Sequence, residues 1–328
     1  MTKSKNLRNL LIDVSKIVEP SELVDVKLPV LQTRITIDRA VDTIIRQMEL
    51  VGYRPITLKD YRYHMSKLQE LANVTYLDEI DRDAILRYLD AMNVSNSTKN
   101  IRLKCVKAVL EKCFDNRWID TKFWKSIHIR LDKKVKEATA KEDLKLLLTL
   151  IDVTTFIGLR DTVAILLIYK TGIRINTLIN LEESHIDFEQ KMLLLDGSIM
   201  KNRTSLKLPL DHEMLRLLRA LIKENERIKT HYNETNALVF VSSRGTHTKT
   251  PGASSSGISK QLSYYSKEYG LKNINAHALR RAYATNLLRK GANIALISKA
   301  LGHSDLSVTT QYLDINEDEV VANLKEFM

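Results

Sequence analysis

Five side chains of this sequence suit a single piece of chemistry. His277, Arg280, His303 and Tyr312 follow one another near the carboxy end, with Thr309 and Thr310 just before the tyrosine, and Arg174 lies far upstream in the run Thr171, Gly172, Ile173, Arg174. A phosphodiester resists nucleophiles because it is already anionic. Breaking it takes a nucleophile, neutralisation of charge on the nonbridging oxygens and a proton for the leaving oxygen. Two Arg, two His and a Tyr meet those needs by attack of a phenol, with no metal ion. No cofactor is expected, and no carboxylate cluster or metal-ligand spacing is present.

Arg174 and Arg280 are the candidate charge clamp, because a guanidinium is planar, permanently charged and able to donate two parallel hydrogen bonds to phosphate. Arg174 lies between the apolar stretches Val163–Ile168 and Leu178–Leu181. His277 lies three residues before Arg280, and on a helix that spacing puts both on one face. His303 follows Gly302, which permits a tight turn. Tyr312 is the candidate nucleophile. A phenol ordinarily titrates near 10, and neighbouring Arg and His favour its ionised form.

Charge points to a polyanionic partner. The chain of 328 residues carries a net charge of +11. Residues 101–138 hold eleven Lys and Arg against five Asp and Glu, so +6 of that excess sits in one stretch. Such a basic balance suits nucleic acid, although a soluble basic surface has the same composition. Cys105 and Cys113 lie two helical turns apart, too far for a disulfide, and read as reduced core residues. Nothing marks secretion or a membrane span, so the expected location is the cytoplasm, with DNA.

These groups need elements to hold them, and the length favours two domains. Residues 1–35 form a short leader, in which Leu7 to Val18 has amphipathic spacing; contact with a neighbouring protomer and disorder both stay open for it. Residues 36–127 read as four helices: about Ile37–Val51 with Thr36 as cap, Leu58–Ala72 capped by Thr57, Arg82–Met92 and Thr98–Arg117. On the fourth, Ile101, Cys105, Val109 and Cys113 form the expected apolar stripe. Lys99, Arg102, Lys107 and Lys112 fall elsewhere; they read as a DNA-facing surface, the alternative being a solvated charged face. Residues 128–138, with Lys133, Lys134 and Lys136, read as a basic interdomain linker that tracks DNA phosphates, the alternative being a solvated tether. Residues 139–314 form the second domain, opening on a capping box at Thr139 to Glu142. Helix is expected over Asp143–Glu183. A hairpin pairs Met192–Leu195 with Leu206–Leu210 around a Gly197–Arg203 turn. Helix returns over His212–Glu224, Leu238–Val241 is a short strand, Gly252–Gly257 a loop, and helices resume from Ser259. The fold class is therefore mostly α: an amino-terminal four-helix bundle and an α+β domain with a small antiparallel sheet. Residues 315–328 form a tail helix.

The order Arg174, His277, Arg280, His303, Tyr312 resembles the tyrosine recombinases, the family of phage integrases and chromosome-dimer resolvases. The resemblance spans residues 36–315 and is strongest from 171 on. It implies that the bundle binds duplex DNA, that Tyr312 forms a 3′-phosphotyrosine, and that His277 assists proton movement at the phenol. It gives His303 a hydrogen bond to a nonbridging oxygen. It adds Lys201, on the hairpin, as general acid for the leaving 5′ oxygen, with Arg203 and Lys207 as backbone-phosphate contacts. Tyr283 falls where the family has a core aromatic. Two positions depart from the pattern: Thr177 replaces an acidic residue that buttresses an active-site Arg, and Arg281 replaces a His. The implied partners are double-stranded DNA and further copies of the chain, two on each site and four in synapsis, with room for an accessory protein; no membrane is involved. Mobile-element integrase or transposase is the preferred setting and dimer resolvase the alternative, with a topoisomerase and a non-catalytic architectural DNA-binding protein further off.

Overall fold

The computed structural model describes residues 34–131, 136–200, 204–303 and 309. The chain forms two compact units that divide between residues 133 and 134. The tail helix expected over 315–328 and nearly all of the leader lie outside the described residues.

The first unit holds helices α1 (Ile37–Leu50), α2 (Pro55–Ala72), α3 (Arg82–Asp90) and α4 (Asn96–Asp115). Thr36 caps α1 by accepting from the Arg39 amide, as its type suggests. The cap expected at Thr57 is not used. α2 starts three residues earlier, because Pro55 sits at the first helical position, where its missing N–H costs nothing. α4 is capped by Ser95. Its buried face is Leu103, Val106, Val109, Leu110 and Cys113, whereas Ile101 is exposed and Cys105 only half-buried. The expected stripe at 101, 105, 109 and 113 fails because steps of four residues drift about 40° each around a helix. Both cysteines are free.

The second unit begins with α5 (Lys141–Leu150), α6 (Phe156–Thr171) and the short α7 (Ile175–Ile179). The predicted capping box is absent: Ala140 holds the cap position, and Thr139 turns inward to donate its hydroxyl to the Asn273 carbonyl at 2.7 Å. α6 is buried around nearly its whole circumference and packs against helices on two sides, which its unbroken apolar run dictates. A three-stranded antiparallel sheet follows, β1 (Ile186–Asp187), β2 (Met192–Leu195) and β3 (Leu206–Pro209), in that order, with Leu193 opposite Leu208. Then come α8 (His212–Tyr232), α9 (Gly257–Glu268), α10 (Ala276–Arg289) and α11 (Ile294–Ala300).

Two expectations change here. α8 runs to Tyr232, well past Glu224, because its inward positions there are the buried polar Asn225 and Lys229 rather than apolar residues. Residues 238–241 form no strand; they make single bridges, Leu238 to Glu182 and Val241 to His247. Helix side chains claim the carbonyls that a neighbouring strand would pair. Asn225 donates to Val239 O at 2.7 Å, Lys229 to Leu238 O at 3.0 Å and Arg160 to Val241 O at 3.2 Å. No helix among the described residues is long and apolar enough to cross a membrane.

Candidate active site

Two glycine turns bring the site together. α6 ends at Gly172 with φ +67°, and α11 is followed by Gly302 with φ +59°, both in the left-handed region that favours glycine. After α11 the amide of Gly302 donates to Lys299 O and that of His303 to Ser298 O, both at 2.9 Å, the paired bonds of a Schellman turn. The turns place Arg174 and His303 just beyond two helix carboxy ends. Gly172 is needed twice over: a Cβ there would lie 2.3 Å from Tyr283 Cδ1 and 2.9 Å from Leu301 Cδ2. Tyr283 is thus a packing residue against the turn, as the sequence suggested.

Arg280, on α10, is 2 % exposed and reaches into the gap between these turns. Its Nη1 donates to Gly172 O and its Nη2 to Leu301 O at 2.6 Å, with a further contact from Nη2 to His303 Nε2 at 2.9 Å. Carbonyls at helix carboxy ends carry partial negative charge, which suits a buried guanidinium. Arg174 closes the ring by donating from Nη2 to Gly302 O at 3.3 Å. The structure therefore brings Arg174, Arg280 and His303 together around residues 301–303.

His303 is held from both sides, since Nδ1 lies 2.8 Å from Thr309 Oγ1. Burial, then the charges of Arg280 and Arg174, lowers its pKa to about 4. His277 opens to solvent at the first turn of α10. Its pKa is also lowered, first by partial desolvation and then by Arg280, Arg281, Lys136 and Arg174 in turn. Four cations therefore bear on one imidazole, which makes this a region fit for an anion.

The Thr177 hydroxyl is directed at partners other than a guanidinium. Thr177 is buried, and its hydroxyl faces Ile199 O at 3.4 Å and Met200 Sδ at 3.8 Å. Arg281 donates from Nε to Glu137 O at 2.9 Å. Sequence reasoning noted Arg281 as a departure and put Lys136 in a phosphate-tracking linker, but placed neither at the catalytic cluster. The signal for the first was its departure from the family pattern, and for the second its place in a basic run.

Tyr312, Lys201, Arg203, Lys133 and Lys134 lie outside the described residues. Lys207 is exposed on β3, opposite Leu194. In the first unit, Lys99 is half-buried and Arg102 Nη1 lies 3.5 Å from Met92 Sδ. Lys107 turns inward to donate to Ile127 O at 2.6 Å, and burial lowers its pKa.

The sequence profile of the phage integrase family matches residues 137–319. Tyrosine recombinase XerA of Pyrococcus horikoshii is 26% identical over 269 residues, covering 82% of this chain and 86% of that protein. Tyrosine recombinase XerC of Bacillus pumilus is 32% identical over 192 residues, covering 58% and 60%. Among solved structures, the Tn1549 transposon integrase in complex with transposon right end DNA superposes with a TM-score of 0.71 at 17% identity, covering 89% of this chain and 99% of that one. At that identity the likeness is one of fold.

Proposed function

The chain belongs to the phage integrase family, that of the tyrosine recombinases, and from that premise we propose that Tyr312 cuts and rejoins duplex DNA at a specific site. The observation that carries the reading is the ring of Arg174, Arg280 and His303 around residues 301–303. A phosphate seated there meets two guanidiniums, one held by two helix carboxy ends, so little reorganisation is left for the reaction itself.

The Tyr312 oxygen attacks phosphorus and the bond to the 5′ oxygen breaks. The phenol proton leaves toward His277, whose lowered pKa keeps it neutral and able to accept. Lys201 delivers a proton to the departing 5′ oxygen. In the free site His303 Nε2 accepts from Arg280. An anionic phosphate raises the proton affinity of that imidazole; a second proton on Nε2 makes it a donor to a nonbridging oxygen and frees the Arg280 Nη2 for the other. The 3′-phosphotyrosine conserves the bond energy, and a 5′ hydroxyl from a second duplex reverses the step without ATP. Two such exchanges pass through a four-way junction held by four copies of the chain, two on each site.

The setting fits either a mobile-element integrase or transposase, or a resolvase of chromosome or plasmid dimers. The Xer recombinases among its relatives favour the resolvase. A plasmid with two directly repeated target sites tests the choice: strict excision to monomers supports resolution, whereas joining to unrelated DNA supports transposition.

The chemistry is tested by covalent trapping in EDTA with nicked duplexes that lose the 5′ product after cleavage. The unsubstituted protein is expected to give a protein–DNA adduct stable to denaturant, and Tyr312→Phe none. An adduct that persists in Tyr312→Phe would overturn the assignment of the nucleophile.

A further inference from the structure

Arg281 follows Arg280 on α10 and is buried like it. Its Nε hydrogen bond to the Glu137 carbonyl, at 2.9 Å, joins residues 144 apart. Glu137 is gripped again through its carboxylate, which accepts from Asn273 Nδ2 at 2.9 Å. Two residues on, the Thr139 amide donates to Ala278 O at 3.2 Å and its hydroxyl to Asn273 O. Residues 137–139 are thus stitched along the first turn of α10 and the loop before it.

That turn carries His277, four residues before Arg281 and so on the same helix face. Lys136 immediately precedes the stitched segment, and its side chain is exposed. The anchors hold the backbone next to Lys136 along the first turn of α10, the turn that carries His277, and the Lys136 charge bears on that imidazole. A half-restrained ammonium at the edge of a phosphate site, on a segment tied down by a buried guanidinium, is costly to arrange if its only use is solubility.

We propose that Lys136 contacts the DNA at the phosphate held by Arg174 and Arg280 or at the phosphate next to it, and that Arg281 is a positioning residue which keeps Lys136 there through Glu137. The inference rests on the recombinase reading above. It gives the departure from His at position 281 a physical use: the Arg281 Nε–H is a permanent donor to the Glu137 carbonyl, and the guanidinium keeps its charge at every pH the protein meets.

The test uses the full chain and the duplex that covalent trapping identifies, with single methylphosphonates, which are uncharged, walked across the cleaved and neighbouring positions. On natural DNA, Lys136→Gln is expected to slow adduct formation by roughly tenfold or more, the scale of one lost charge-assisted contact. Lys136→Arg should retain most of the rate. With the methylphosphonate at the contacted phosphate the Lys136→Gln defect should shrink toward none, and the position at which it does so says which phosphate is held. Arg281→Met, which keeps the length and removes the donor, should reproduce the defect, and combining it with Lys136→Gln should add nothing, which a merely structural role for Arg281 would not give. A Lys136→Gln rate equal to that of the unsubstituted protein, or a defect of the same size at every methylphosphonate position, overturns the proposal. A further loss in the double variant overturns the part assigned to Arg281. Absence of any Tyr312-dependent adduct from the unsubstituted protein sinks the recombinase reading and this proposal with it.

Discussion

Arg280 Nη2 lies 2.9 Å from His303 Nε2, and that contact decides the state of the imidazole. A guanidinium only donates, so Nε2 must accept, and in the neutral ring the proton then sits on Nδ1, aimed at Thr309 Oγ1 at 2.8 Å. With its pKa lowered to about 4, His303 is neutral at pH 6 in the free protein. Nitrogen chemical shifts of the ring are expected to report the Nδ1–H tautomer; a protonated ring at pH 6 would contradict the geometry. The stability consequence has a definite sign. The unfolded chain takes up this proton near pH 6.5 and the folded one does not, so the contribution of His303 is whole above about pH 6.5 and is lost as pH falls toward 4.

Gly172→Ala should damage the site through its frame. A left-handed conformation costs a residue with a Cβ about 1–2 kcal/mol. The new atom would also lie 2.3 Å from the Tyr283 ring, and overpacking of that kind adds roughly 1–3 kcal/mol. Thermal unfolding is expected to fall by roughly 5–15 °C. Tyr283→Ala combined with Gly172→Ala should recover part of the steric share, whereas strictly additive losses would show that Tyr283 is not what the Cβ strikes.

Asp161 and Arg160 form a buried pair, with Nη2 to Oδ1 at 2.7 Å and side chains only 1% and 5% exposed. Tyr265 donates to the other carboxylate oxygen at 3.1 Å. Burial pushes the Asp161 carboxyl up while Arg160 and Tyr265 pull it down, so the pair is costly to desolvate. Asp161→Ala strands a buried guanidinium and is expected to cost about 3–5 kcal/mol. Tyr265→Phe should cost about 0.5–1.5 kcal/mol. Replacing the pair together, as Arg160→Met with Asp161→Leu, should be milder than Asp161→Ala alone. Chemical denaturation ranks the three, and a double replacement worse than the single one would contradict the desolvation argument.

What was legible in the sequence is what depends on residue type at short range. Gly302 announced a turn, and Arg174, Arg280 and His303, chosen by type and order, do come together around residues 301–303. The misreadings share a cause: a distant partner outbid a local rule. Thr139 looked like a cap, but its hydroxyl serves Asn273, 134 residues away. Residues 238–241 looked like a strand, but Asn225, Lys229 and Arg160 took their carbonyls. Thr177 raised the question of what holds Arg174. The carbonyl at Gly302 takes part of that task, and Thr177 faces Ile199 and Met200 instead. No local pattern could show that Arg281 reaches Glu137.

Lys99 and Lys107 both lie on α4 and both suit a DNA-facing surface by type, but their surroundings separate them. The Lys107 ammonium is committed to Ile127 O at 2.6 Å and its pKa is lowered by burial, so it is already used in holding the end of the bundle. Lys99, one turn into the same helix, is only half-buried. Each Lys that neutralises a phosphate releases counterions and steepens the fall of affinity with salt, so losing one reduces the slope by about 1. Binding measured across a salt series should therefore show a shallower slope for Lys99→Ala and an unchanged slope for Lys107→Ala. The second substitution should instead lower the unfolding midpoint, because Ile127 O loses its donor at a cost of about 1–3 kcal/mol. A slope reduced by Lys107→Ala with stability intact would mean that its ammonium leaves Ile127 for the DNA. A slope untouched by Lys99→Ala would remove α4 near Lys99 from the DNA face.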